Sequence, residues 1–98
     1  MGLSGGSTIW KFPVSVADQF TVEMPAGARV LHVAVQDGKP YMWALVDPDQ
    51  PTRLRMFHIR GTGHPVDPDL VYIGSWMELR GRLVWHLFGA SNPGRADA

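Results

Sequence analysis

Along most of the chain apolar residues recur at every second position between clusters of Gly, Pro and Asp, the pattern of half-buried β-strands rather than of helices. Read this way, strands are predicted at 9–14, 19–23, 29–36, 39–46, 53–60, 70–79 and 83–88. A helical turn competes only at 15–20, where Ser15 is placed to cap a turn through Asp18, and that segment is too short to change the class. The prediction is therefore an all-β fold: a compact single-domain antiparallel β-sandwich or small barrel of about seven short strands. Residues 1–8 read as a flexible Gly/Ser-rich lead, 9–88 as the β domain, and 89–98 (GASNPGRADA) as a disordered tail with nothing to bury.

Two hairpins decide which side chains share a face. Asp37-Gly38 between two apolar runs predicts a two-residue type I′ turn, which needs positive φ at both positions and pairs Gln36 with Lys39. On that register Leu31, Val33 and Val35 oppose Ala44, Met42 and Pro40 on one face, while His32 opposes Trp43 and Ala34 opposes Tyr41 on the other. Pro40 has no N–H to give to an outer neighbour, so this strand is expected at a sheet edge, at least locally. The second turn lies at Arg80-Gly81-Arg82, with the central pair either Arg80-Gly81 or Gly81-Arg82. Both options place Ile73, Ser75, Met77 and Leu79 on one side with Val84, His86 and Phe88, and Tyr72, Trp76 and Glu78 on the other with Leu83, Trp85 and Leu87. Both sides are apolar, which predicts burial on both faces. A homo-oligomer with Tyr72, Trp76, Trp85 and Leu87 at its interface would supply the cover.

Composition narrows the classes. The chain has 98 residues, nine basic and nine acidic side chains and no cysteine. One core is all that such a length supports, and without cysteine there is no disulfide framework, thiolate catalysis or cysteine-based zinc site. A balanced charge gives no basic reservoir for non-specific nucleic-acid binding. Eight prolines and eleven glycines break the chain too often for long helices. Residues 1–7 lack a basic region followed by an apolar one, so no leader or anchor is expected. No apolar run approaches the roughly 20 residues that span a bilayer.

Candidate chemistry is sparse. No two of the four histidines, His32, His58, His64 and His86, lie closer than six positions, so no metal site and no cofactor is expected; His32 and His86 read as strand residues packed against aromatics. Ser75 and Ser91 lack a nucleophile-elbow motif, and the aspartates of DPDQP and DPDL have turn-making reasons to be there. A small hydrolase built on His64 with Asp67 or Asp69 is the enzymatic alternative, and no catalytic residue is assigned. The most suggestive stretch is Arg60-Gly61-Thr62-Gly63-His64: its glycines allow a backbone anion nest, to which Arg60 and His64 add charge and Thr62 a hydroxyl. A nucleotide-like ligand would place its phosphate there and stack on Tyr41 or Trp43.

The segments IWKFPV, MWALVDPDQP, RGTGHPVDPDL and YIGSWMELRGRLVWHLF, in this order over residues 9–88, resemble a group of small proteins found mainly in tailed-bacteriophage genomes and prophages and grouped as a domain of unknown function. The motifs WALVDP, GTGHP and the C-terminal WHLF carry the likeness. It implies a phage setting and a β-rich domain, and no assigned chemistry. The expectation is a non-enzymatic accessory protein, homo-oligomeric, that binds a host protein or sequesters a small anionic ligand in the cytoplasm of an infected or lysogenic bacterium. The alternative is a virion decoration or assembly component.

Overall fold

A computed structural model describes residues 6–90 of the chain, with seven strands and no helix among them. The strands are β1 (Thr8–Pro13), β2 (Gln19–Pro25), β3 (Arg29–Gln36), β4 (Lys39–Val46), β5 (Thr52–Gly61), β6 (Leu70–Glu78) and β7 (Leu83–Ala90). They form two antiparallel sheets, one of three strands in the order β1-β4-β3 and one of four in the order β2-β5-β7-β6. The all-β sandwich read from the alternation is thus the observed class. Thr8 already belongs to β1, and Gly89 and Ala90 close β7 rather than opening the tail. Residues 1–5 and 91–98, the rest of the expected lead and tail, lie outside the described residues. Residues 15–18 form no helical turn.

The β3-β4 hairpin turns at Asp37 and Gly38 with φ of 54° and 80°, and Gln36 pairs with Lys39, as type I′ geometry requires. The expected pairs of Val33 with Met42, Val35 with Pro40, His32 with Trp43 and Ala34 with Tyr41 are all formed. Between Val30 and His32 the register shifts, so Val30 and not Leu31 faces Ala44. Leu31 bulges outward, 46% exposed. As a whole β4 is not an edge strand, since it is the centre of its sheet with β1 on its outer side, and the edge expected at Pro40 is local. The β1 ladder ends with Pro13 opposite Tyr41, and the Val14 N–H still donates to the Pro40 carbonyl at 3.1 Å. Proline cannot return the reciprocal bond, so pairing stops there.

The β6-β7 hairpin ends at the Glu78–Leu83 pair, leaving a four-residue loop instead of either expected two-residue turn. Leu79, Arg80 and Gly81 all take positive φ, and the loop is closed by the Gly81 N–H on the Glu78 carbonyl and the Arg82 N–H on the Leu79 carbonyl. Beyond the loop, Trp76 faces Trp85 and Ser75 faces His86, as the Arg80-Gly81 option requires. A second register shift between Tyr72 and Gly74 puts Tyr72 opposite Phe88. Tyr72 therefore lies on the Ser75–His86 side, opposite to the side read from simple alternation.

Between the sheets the core is built from Val33, Met42, Ala44 and Val46 of one and Met24, Phe57, Ile59, Trp76 and Leu87 of the other. No polar or charged residue among those described is buried in it. Trp76 and Leu87 are 4% and 0% exposed, so neither is available to a subunit interface. The sheets approach closely where β3 meets β6. A Cβ on Gly74 would sit 3.2 Å from Val33 Cγ2 and 3.4 Å from Val33 Cβ. Gly74→Val must push the sheets apart there, and we expect it to cost about 1–3 kcal/mol. Urea denaturation followed by tryptophan fluorescence measures this; an unchanged midpoint would refute the close approach.

Candidate functional site

Register fixes the outer face of the four-stranded sheet. Gln19 on β2 faces His58 on β5, which faces Phe88 on β7, which faces Tyr72 on β6. The next row holds Arg60, His86 and Ser75, and Val84 with Met77 follows. In an unbroken strand Tyr72 and Ser75, three apart, would point to opposite faces. The bulge at residue 73 brings them to the same one.

A hydrogen-bonded chain results. The Tyr72 hydroxyl lies 2.7 Å from Ser75 Oγ, Ser75 Oγ lies 2.7 Å from His86 Nδ1, and His86 Nε2 lies 2.9 Å from Thr62 Oγ1. Either tautomer closes the chain: one ring nitrogen donates, the other accepts, and the hydroxyls rotate to suit. Tyr72 also packs edge-on against Phe88, with ring centroids 5.8 Å apart. A serine on an imidazole is half of a nucleophile arrangement. Here, however, the second ring nitrogen meets a threonine hydroxyl, where a catalytic base would have a carboxylate to hold the imidazolium. The chain satisfies its members' hydrogen bonds on the face. Besides His58 and Arg60, the same face carries apolar side chains: Leu54, Met56, Tyr72 and Met77 are 66%, 39%, 58% and 64% exposed, and Phe88 and Val84 are half-buried.

The residues singled out in the sequence fall in three places. The loop after β5 does gather Arg60, Gly61, Thr62, Gly63 and His64, with Gly63 at φ 90°. Most of its groups are engaged internally. Arg60 donates to the carbonyls of Asp18 and Ile59, Thr62 is bonded to His86, the His64 N–H donates to the Gly61 carbonyl, and the Gly61 N–H donates to His64 Nδ1. His64 thus bonds to its own loop and to neither Asp67 nor Asp69. Tyr41 and Trp43 lie elsewhere, on the outer face of the three-stranded sheet with His32 and Lys11. There the Lys11 ammonium sits 4.5 Å over the Tyr41 ring and donates to Gln36. The sandwich separates them from the loop, so the composite nucleotide site is not assembled. Of the interface candidates, Tyr72 remains on the surface, Trp85 is half-buried against the core, and Trp76 and Leu87 are inside it.

The Tyr72–Ser75–His86–Thr62 chain itself was not read from the sequence. The hairpin register alone puts Ser75 and His86 on one side, and that is the signal that reveals the central pair. Tyr72 needed the bulge, and Thr62 a loop conformation. Among the described residues no three His, Cys, Asp or Glu side chains are grouped to hold a metal ion, and no helix is long and apolar enough to cross a membrane.

Over residues 6–97 the sequence matches a family described as Domain of unknown function (DUF7352). No curated protein and no solved structure matches it.

Proposed function

We propose that this chain, which belongs to the family described as Domain of unknown function (DUF7352), is a non-enzymatic binding protein whose contact surface for a protein partner is the outer face of the four-stranded sheet. One observation carries the reading. Four polar groups on the β6-β7 side of that face already satisfy one another through the Tyr72–Ser75–His86–Thr62 chain, and Leu54, Met56 and Met77 on the same face are exposed and apolar. Covering a polar group is costly when its hydrogen bonds to water are lost, and little is lost where the bonds are internal. Exposed Met56 and Met77 add flexible, polarisable contact that adapts to an uneven partner. Four strands spaced at about 4.8 Å and some eight residues long give a face of roughly 500 Å² per partner, at the small end of specific interfaces, where transient complexes lie.

The resemblance to bacteriophage proteins supports a host protein as that partner, met in the cytoplasm of an infected or lysogenic cell. Site-specific photo-crosslinking in such cells tests this. A photoreactive residue in place of Met77 should give adducts of discrete mass, whose identity names the partner. The same group in place of Ile9, exposed on the other sheet, should give none. Adducts from Ile9 alone, or from neither position, would reject the face. Tyr72→Glu together with Met77→Glu should weaken the captured complex at least about tenfold, because the charges must be desolvated against apolar contacts.

A further inference from the structure

The loop after β5 and the indole of Trp85 form a second feature, independent of the sheet face. Gly61 and Trp85 are ladder partners on β5 and β7, so the Gly61 amide and the Trp85 indole belong to neighbouring strands. The His64 ring folds back over Gly61. Its Nδ1 accepts the Gly61 N–H at 3.2 Å, and a Cβ on residue 61 would lie 3.0 to 3.5 Å from three atoms of the ring. Hollows of about 200 Å³ and 230 Å³ lie beside the ring, the first bordered by Arg82 and the second by Asp18, and Gly61, His64 and Trp85 wall both. Trp85 Nε1 is sealed from solvent and has no hydrogen-bond partner, unlike every other buried side-chain nitrogen or oxygen among the described residues. A buried donor without an acceptor is a standing cost that native structures rarely carry without a reason.

We propose that this is a binding site for the anionic oxygen of a small molecule, a phosphate or carboxylate group, with His64 as its built-in stand-in. The imidazole nitrogen occupies the Gly61 N–H that a ligand oxygen takes when the ring swings outward. His64 is exposed and its side chain is held by that single bond, while Gly63 beside it has the positive φ of a left-handed turn. With the ring displaced the two hollows join into one large enough for a small-molecule ligand, for which about 300 Å³ suffices. The Gly61 amide is then free to donate, and on this proposal the Trp85 indole N–H, sealed from solvent and unpartnered, turns to the same oxygen as the second donor. Arg82 borders one mouth and Asp18 the other, and Arg82 is the charge that attracts an anion to the pair of hollows.

Titration of ¹⁵N-labelled protein, following the Gly61 amide and Trp85 indole resonances, tests the proposal. Four probes are used: inorganic phosphate, a nucleoside monophosphate, the same nucleoside without phosphate, and benzoate. The phosphate- or carboxylate-bearing probes should move both resonances saturably, and the bare nucleoside should not. Saturation by inorganic phosphate alone identifies a free-anion site; saturation only by the nucleotide or benzoate identifies an organic ligand. His64→Ala removes the competing acceptor and should bind several-fold tighter, since the competent state no longer has to be selected. Trp85→Phe should bind about tenfold weaker. If no anion moves the two resonances at millimolar concentration in either the unaltered protein or His64→Ala, or if His64→Ala binds no tighter, the site is rejected.

Discussion

Replacing Phe57 with Ala should cost about 3–5 kcal/mol of stability and lower the midpoint of thermal unfolding by tens of degrees. Phe57 is 0% exposed and faces its ladder partner Phe20, the two rings stacked with centroids 5.5 Å apart. On β5 it sits between β2 and β7, each held by its own hydrogen-bond ladder, so neither neighbour can close into the space the ring leaves. The Arg55 guanidinium, 5.5 Å from the ring centroid and bonded to the Ala28 carbonyl, loses its apolar support as well. A domain of this size holds only about 5–15 kcal/mol in all, so the variant should be partly unfolded at 37 °C. Urea titration read by circular dichroism gives the value. A loss below about 1 kcal/mol would mean that the two sheets do not close over this ring.

What the sequence made legible follows from where the determining physics is local. The Asp37-Gly38 turn was readable because two positive φ values demand those residue types, and the turn then sets every pair back to His32 and Trp43. The register shifts at residues 31 and 73 were not readable, because a bulge answers the curvature of the whole sheet and leaves no obligatory residue behind. Their consequences were large: Leu31 left the core face and Tyr72 changed sides. The pairing of β1 with β4 and of β2 with β5 was equally hidden, since alternation shows that a strand has two faces but not which strand lies beside it. That is why Tyr41 and Trp43 could be matched with the loop of residues 60–64 on paper while the fold sets them on different sheets. In the candidate site, the Ser75–His86 pair was within reach of hairpin register alone. Thr62 was not, because its hydroxyl reaches His86 only through the turn that the Gly61 carbonyl and the His64 amide close.

Trp76→Ala should also cost about 3–5 kcal/mol, and it separates the two meanings of an apolar residue on a strand with two apolar faces. Trp76 is 4% exposed, its indole N–H donates to the Glu78 carboxylate at 2.9 Å, and it faces Trp85 across the β6-β7 ladder. A residue buried within one chain lowers stability by the same amount at every protein concentration. A residue buried only by a second subunit would lower the stability of the assembly, and its effect would fade on dilution as the unaltered protein itself dissociated. Thermal unfolding of the unaltered protein and of Trp76→Ala over a hundredfold range of concentration distinguishes the cases, and the difference between the two curves should stay constant. Tyr72→Ala is the contrast on the same strand. Tyr72 is 58% exposed and gives up a surface hydrogen bond to Ser75 and an edge contact with Phe88, so it should cost about 1 kcal/mol. Equal losses at the two positions would place both side chains in one environment and would contradict the bulge that turns Tyr72 away from the core.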